Sequence, residues 1–413
     1  MLLTMLAVAM LLGVYLFLKQ LNTAGLLAAR AQNEAVTLTE ARAIVLGDMA
    51  SRFSSAALGD AGYLRLPDLG AGVGGLPSEG TASPNFTGNG QDFSVIGKLP
   101  WATMHSGALR DANGECYWYV VSGRFKITPK TDVLNWDTPG QIDVVSSGTL
   151  IAANLAALIV APGNPVDGQD RQLADAAYTE CGGNYDARNY LDTFDGADAV
   201  GGAVNYFAGS TNNRVATSTA NKVFVLTSND HYNDRFAFIS VDDIFNLVSK
   251  RSDFALAIGA LLDYFKTQND TAATSPGTPV PGAPPTSGDV IPPPVAIAGP
   301  KGTDNLVCSS APDPDFCKNW KEMLFLTALP TPANITIDGA PSEYPCQRVL
   351  IFGGRRTSSQ TRLTAAEKAD KNNYLETPNN NSFASPTATA VNFVGRSTFT
   401  ATSPQTDILR CLK

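Results

Sequence analysis

MLLTMLAVAMLLGVYLFL, residues Met1 to Leu18, contains no charged residue and no proline, and the helical pattern it opens continues to about Phe53. At 18 residues, the stretch is just long enough to cross a bilayer core as a helix, which needs about 20. Behind them, Leu27, Ala31, Ala35, Leu38, Val45 and Met49 recur at three-, four- and seven-residue steps. Arg30, Glu34, Glu40, Arg42, Asp48 and Arg52 lie mostly off that stripe, as on an amphipathic helix. The first proline is Pro67, so nothing breaks the pattern earlier. The expectation is one helix over 1–53, about 80 Å long at about 1.5 Å per residue. Its front half, 1–18, would be a membrane or filament core, and its back half would bury one face.

The rest of the chain is too long for one ordinary core: 413 residues imply two or three domains. Only 16% of residues are charged, while glycine, proline, serine, threonine and asparagine abound. That composition describes a loop-rich, β-leaning ectodomain. The net charge of −8 and the lack of a basic patch argue against nucleic-acid binding. Two histidines, His105 and His231, leave little room for histidine chemistry.

Six cysteines, Cys116, Cys181, Cys308, Cys317, Cys346 and Cys411, form no CxxC pair, which removes zinc-ribbon and thioredoxin readings. An even, widely spaced set behind an apolar N-terminus points to three disulfides in an oxidising compartment; buried free thiols are the alternative. Of about fifteen connectivities, pairing of neighbours is the expectation: Cys116–Cys181, Cys308–Cys317 and Cys346–Cys411. The N-terminus lacks a basic residue before Lys19, so neither a secretory signal nor an ordinary anchor fits. Charge pattern and oxidised cysteines agree if a short basic leader precedes Met1 and is removed once topology is set.

Residues 54–98, rich in glycine and proline, are expected to wrap the helix end as an irregular loop. Residues 99–268 read as an α+β head. Its strand candidates are Cys116–Val121, Leu155–Val160, Lys222–Thr227 and Phe236–Ile239, followed by a helix over Val241–Lys266. Residues 269–302 are a proline-rich linker, since nine of the 26 prolines fall in Thr271–Pro300. Residues 303–413 form a second, disulfide-containing β-rich domain with strands near Met323–Leu326, Arg348–Phe352 and Val394–Thr400. Thr357–Pro386, polar in character, is expected as loop.

No motif carries catalysis. Gly70-Ala-Gly-Val-Gly-Gly75 matches GxGxxG, but Pro67 and Pro77 flank it where a strand and a helix should. Asp192, Asp195 and Asp198 with Gly196 could offer oxygens to Ca²⁺, yet the spacing is not that of an EF-hand loop, and a solvated acidic loop is expected. Sequons stand at Asn85, Asn269, Asn334 and Asn380. Trp101, Trp118, Trp136 and Trp320 read as core or loop anchors. No nucleophile, base and orienting group can be named together, so no catalytic, cofactor or metal residues are assigned and the chain is read as a non-enzyme.

The half-greasy, half-amphipathic N-terminus resembles the mature N-terminus of type IV pilins and type II secretion pseudopilins. Strings through the head, Leu99-Pro-Trp101, Leu109-Arg-Asp111, GECYWYVVSGRFK (Gly114–Lys126), Thr138–Ile142, Ala161-Pro-Gly163 with Gly168–Arg171, Asn189–Asp192 and Asn233–Phe236, are similar to large prepilin-like proteins of Gram-negative bacteria. The resemblance implies a pilin-like helix, with an N-methylated terminus, that carries an α+β head. It implies a subunit that passes through the inner membrane and then joins a cell-surface filament, an extracellular fimbrium, through packing with its own copies or other pilins. The exposed domains would bring cell adhesion, with a surface or glycan ligand. Family members usually carry Glu at the fifth mature position, where this chain has Met5. A major subunit, a minor or tip pilin, and a non-polymerising anchored periplasmic binding protein are therefore all open readings.

Overall fold

The computed structural model describes residues 2–53, 58–70, 79–84, 91–166, 168–172, 180–182, 184–192, 219–227, 232–270, 300–304, 306–384 and 391–413. In the first helix, side chains are described at Met10, Gly25, Leu26 and from Ala28 onward. The protein is α+β, with β-rich sheets and three disulfides. By internal contact it divides into two units. One is Met1–Asp48, Leu64–Pro129 and Gly140–Ser240; the other is Met49–Tyr63, Lys130–Pro139 and Val241–Lys413.

The first helix, α1, runs Leu2–Ser51. The long hydrophobic span expected to define the fold is not found: among the described residues no helix is long and apolar enough to cross a membrane. Charges recur too often after Ala28, at Arg30, Glu34, Glu40, Arg42 and Asp48, to leave an apolar run of that length. The membrane or filament-core role given to 1–18 falls, apart from Met10, on side chains outside the described residues. The buried stripe also starts later than its periodicity implied. Leu38, Ala41, Val45 and Met49 are buried, whereas Ala31 and Ala35 are exposed.

In the first unit, strands β1 (Val95–Lys98), β2 (Trp118–Val121), β5 (Ala157–Ala161) and β7 (Arg235–Ile239) form an antiparallel sheet in the order β1-β2-β5-β7. Lys98 pairs with Trp118, Trp118 with Val160, and Ala161 with Arg235. A second sheet sets β3 (Ile142–Ser146) between β4 (Thr149–Leu155), antiparallel, and β6 (Lys222–Val225), parallel. The expected strand Leu155–Val160 is thus cut at Ala156, where the chain leaves one sheet for the other. Trp118, Val120, Leu158 and Val160 share a core with Ile142, Val144, Leu155 and Phe224, as period-two alternation requires. Tyr119 and Ile159, on the opposite face, are also buried. α1 is tied to this sheet by Arg42 Nε, which donates to Phe238 O at 2.7 Å.

In the second unit the expected single helix is two: α2 (Val241–Val248) and α3 (Ser252–Asp270). Arg251 sits at the break. Its guanidinium donates to Asp253 and to the carbonyls of Ala50 and Phe53, bonds a continuous helix would aim elsewhere. Helix α4 (Pro314–Trp320) is capped by Asp313 and leads into β8 (Leu324–Ala333). A short sheet joins β9 (Thr336–Ile337), β10 (Ala340–Pro341) and β12 (Val394–Gly395). The main sheet has β11 (Cys346–Phe352) between β8 and β13 (Ile408–Leu412), all antiparallel. The stretch expected as loop carries α5 (Ala365–Ala369) and α6 (Asn379–Ala384). An aromatic cluster fills this unit: Trp136 meets Trp320 edge-on at 4.6 Å, and Phe254 lies 5.0 Å from Trp320 and 5.2 Å from Phe399.

Candidate functional site

The register places Lys98 at the end of β1, Trp118 at the start of β2, Ala161 at the end of β5 and Arg235 at the start of β7. All four stand at one end of the four-stranded sheet. The segments that leave this end are those carrying the quoted strings of the head: Asp111 and Cys116, Gly163, Gln169 and Arg171, Asn189 to Asp192, and Asn233-Asp234. Scattered over more than a hundred positions, they meet in one polar network.

Cys116, just before β2, is bonded to Cys181, with Cα atoms 5.4 Å apart. Lys98 is buried behind that bond. Its ammonium donates to Cys181 O and to Gly182 O (2.8 Å) and lies 4.6 Å from the Tyr185 ring centre. Burial pulls its pKa down to about 8, against the opposing pull of Asp68, Glu79 and Glu115. Asp68 accepts from Gly70 N, Gly80 N and the Tyr185 hydroxyl. Desolvation still holds its carboxyl above the ordinary range. Gly70 has φ +76°, and a Cβ there would meet the Tyr185 ring at 2.7 Å, so this glycine serves a close approach. The other residues of the GxGxxG match, 71–75, lie outside the described residues.

On the far side, Asp111 accepts from Asn113 N, Glu115 N and Gly163 N. Arg171 donates to Gly163 O (2.7 Å), Asn189 O (2.8 Å) and Gln169 Oε1 (2.7 Å), and pairs with Glu115 at 3.3 Å. Asp192, expected in a solvated loop, is 4% exposed. Its Oδ2 accepts from Asn233 N and Asp234 N, and its Oδ1 from Gln169 Nε2. Asp195, Gly196 and Asp198 lie outside the described residues. Sequence reasoning missed Asp234 as a partner because nothing local marks a carboxylate at the start of a strand as buried.

Chemically, the network fixes loops: its oxygens and cations are largely spent on main-chain partners. Among the described residues no group of three or more His, Cys, Asp or Glu is placed to hold a metal ion. His105 is exposed with φ 56°, and His231 lies outside the described residues. Of the sequons, Asn334 is exposed, while Asn269 is buried and bonded to Phe265 O and Arg348; Asn85 lies outside the described residues. Trp118, Trp136 and Trp320 are buried. A pocket of about 150 Å³ in the second unit is lined by Leu58, Ala260, Leu261, Pro312 and Phe316. Its one carboxylate, Asp313, is already held by Gly59 N and Phe316 N. No family model, no curated protein and no solved structure matches this chain.

Proposed function

We propose that the chain is a structural subunit of an extracellular, type IV pilus-like filament, in which α1 packs against copies of itself or of related subunits and the globular domains are exposed. One observation carries the reading. α1 buries Leu38, Ala41 and Val45 and is pinned to the sheet by Arg42, yet it exposes Met10, Leu26 and Val36. A helix fixed on one face that leaves large apolar side chains uncovered elsewhere has side chains available for helix packing. Three disulfides support an oxidising, extracytoplasmic setting. The exposed domains would supply the adhesive surface.

The test is shearing of the producing cells followed by electron microscopy with antibody to the second unit. The expected result is labelled filaments that vanish in Leu26→Asp/Val36→Asp, while the variant's disulfides and protease resistance persist. Dispersed monomer from wild-type cells, or filaments indifferent to both substitutions, would overturn the reading.

A further inference from the structure

We propose that Asp192 and Asp234 share a single proton, and that this proton is a catch holding residues 187–192 on the start of β7, closed in acid and released as pH rises. The proposal does not depend on the filament reading.

The geometry is reciprocal. Asp192 N donates to Asp234 Oδ2 at 3.0 Å, and Asp234 N donates to Asp192 Oδ2 at 3.0 Å. Main-chain bonds in both directions hold the two carboxyls against each other. Asp192 has donors on both oxygens, counting Gln169 Nε2 on Oδ1. Asp234 is 1% exposed, and among the described residues its Oδ1 has no donor. A buried acceptor left without a donor is costly. A proton on Asp234 turns that oxygen into a donor to Asp192, so one hydrogen repairs the orphan and removes the second negative charge.

Charge balance points the same way. Arg171, from the 163–171 loop, is the cation acting on both carboxyls, and it is already paired with Glu115 and bonded to Gly163 O and Asn189 O. Asp111, from the segment before β2, adds a further carboxyl that binds Gly163 N. Tyr190 lies under the Arg171 guanidinium at 5.0 Å, and Arg235, next along the chain, is exposed. Two carboxylates with one shared cation do not both ionise in a buried site. Burial first and Asp192 second push Asp234 well above the ordinary carboxyl range; burial also raises Asp192.

The sign follows. A folded pKa above the unfolded one means that the folded state keeps a proton the unfolded state has lost. The catch is therefore closed at low pH, weakens about tenfold per pH unit as pH climbs from the ordinary carboxyl pKa to the raised folded one, and has lost the proton's contribution above it.

Hydrogen exchange of peptides covering 186–192 and 232–239, corrected for the intrinsic rate, at about pH 5 and about pH 8, tests this. Wild type is expected to lose tenfold or more protection between the two. Asp234→Asn, whose amide donates to Asp192 at every pH, is expected to hold it. Equal losses in both proteins, or none in wild type, would overturn the proposal. So would calcium restoring protection at the higher pH with reversal by chelator, since a cation and not a proton would then be the catch. If Asp234→Asn fails to fold, isotope-edited infrared spectra of wild type decide: a protonated Asp carbonyl band must persist where ordinary Asp is ionised, and its absence sinks the idea.

Discussion

Two disulfides, one in each unit, close loops of the same length: Cys116–Cys181 and Cys346–Cys411 are both separated by 65 positions. They are attached to different things. Cys346 opens β11 and Cys411 lies in β13, and these strands already share five paired positions from Arg348↔Leu412 to Phe352↔Ile408. That bond reinforces a ladder. Cys181 stands in a loop outside any strand, held by Glu79 and by the Lys98 ammonium. There the bond is itself an anchor. Equal loops need not mean equal local consequences.

The largest effects test that contrast. Loop-closure entropy assigns about 4.3 kcal/mol to each 65-residue staple and about 2.6 kcal/mol to Cys308–Cys317, whose separation is 9. Paired Cys→Ser variants, followed by denaturant unfolding with segment-resolved hydrogen exchange, are expected to show the two large losses as similar. The local pattern should differ. Without Cys116–Cys181, amides near 180–182 lose protection in native buffer; without Cys346–Cys411, β11 and β13 keep theirs up to the main transition. Early fraying of β13 would erase the distinction.

Next comes a staple made of charge. Arg362 is fully buried; it donates to Asp137 Oδ2 (3.0 Å) and Gly354 O (3.0 Å) and lies over the Tyr374 ring at 4.0 Å. Arg362→Leu strands Asp137 without its cation, a loss of about 3–5 kcal/mol. Arg362→Leu with Asp137→Leu is expected to recover much of it. An additive double variant, by chemical denaturation, would show that the pair acts through separate contacts.

The first unit's counterpart, Lys98, has no carboxylate at hydrogen-bond distance among the described residues. Lys98 gives its protons to carbonyls, and desolvation holds its pKa at about 8, below the ordinary lysine value. Between about pH 8 and 10.5 the unfolded chain therefore binds more protons than the folded one, and this residue's contribution to stability rises with pH by up to about 3 kcal/mol. Lys98→Met should flatten that slope. A wild-type minus variant difference that does not change across the window would mean that Lys98 titrates as an ordinary lysine.

How much of this was legible in the sequence depended on whether a signal was local. Of the expected strands, Cys116–Val121 is β2 from Trp118 on, Lys222–Thr227 is β6 as far as Val225, and Arg348–Phe352 lies within β11. The neighbour pairing of the cysteines matches all three bonds. Long-range burial of charge left no such trace. Arg362 lies in a stretch read as polar loop, yet it is fully buried, its guanidinium matched by Asp137, distant in sequence, and by nearer acceptors on Gly354, Gln360 and Asn373. Asp192 looked solvated for the same reason. The helix after β7 split because Arg251 finds partners near residue 50, a contact no periodicity encodes. The N-terminal pattern misled in the opposite sense: a stripe continued by eye from Leu27 to Met49 is exposed at Ala31 and Ala35.

The smallest effect compares two caps. Thr364 and Glu367 form a reciprocal capping box on α5, exposed and in the other unit from Asp192 and Asp234. Asp186 caps the turn Ala187–Asn189, accepting from Arg188 N at 3.1 Å, and that turn leads directly into Asp192. Replacing either cap by alanine removes about 0.5–1 kcal/mol. Thr364→Ala should fray α5 alike between about pH 5 and about pH 8, since Thr364 has no charge and its partner Glu367, held below the ordinary carboxyl range by main-chain bonds, stays ionised there. Asp186→Ala should behave differently if a proton holds 187–192. While the proton is bound, the reciprocal Asp192–Asp234 bonds retain the turn and exchange at 187–192 changes little. Once the proton is gone, the cap is a main remaining hold on its start, and the same substitution multiplies the exchange rate there several-fold. A pH-independent response to Asp186→Ala would mean that the turn is held by Arg171 and its carbonyl bonds alone, with the two carboxyls as bystanders.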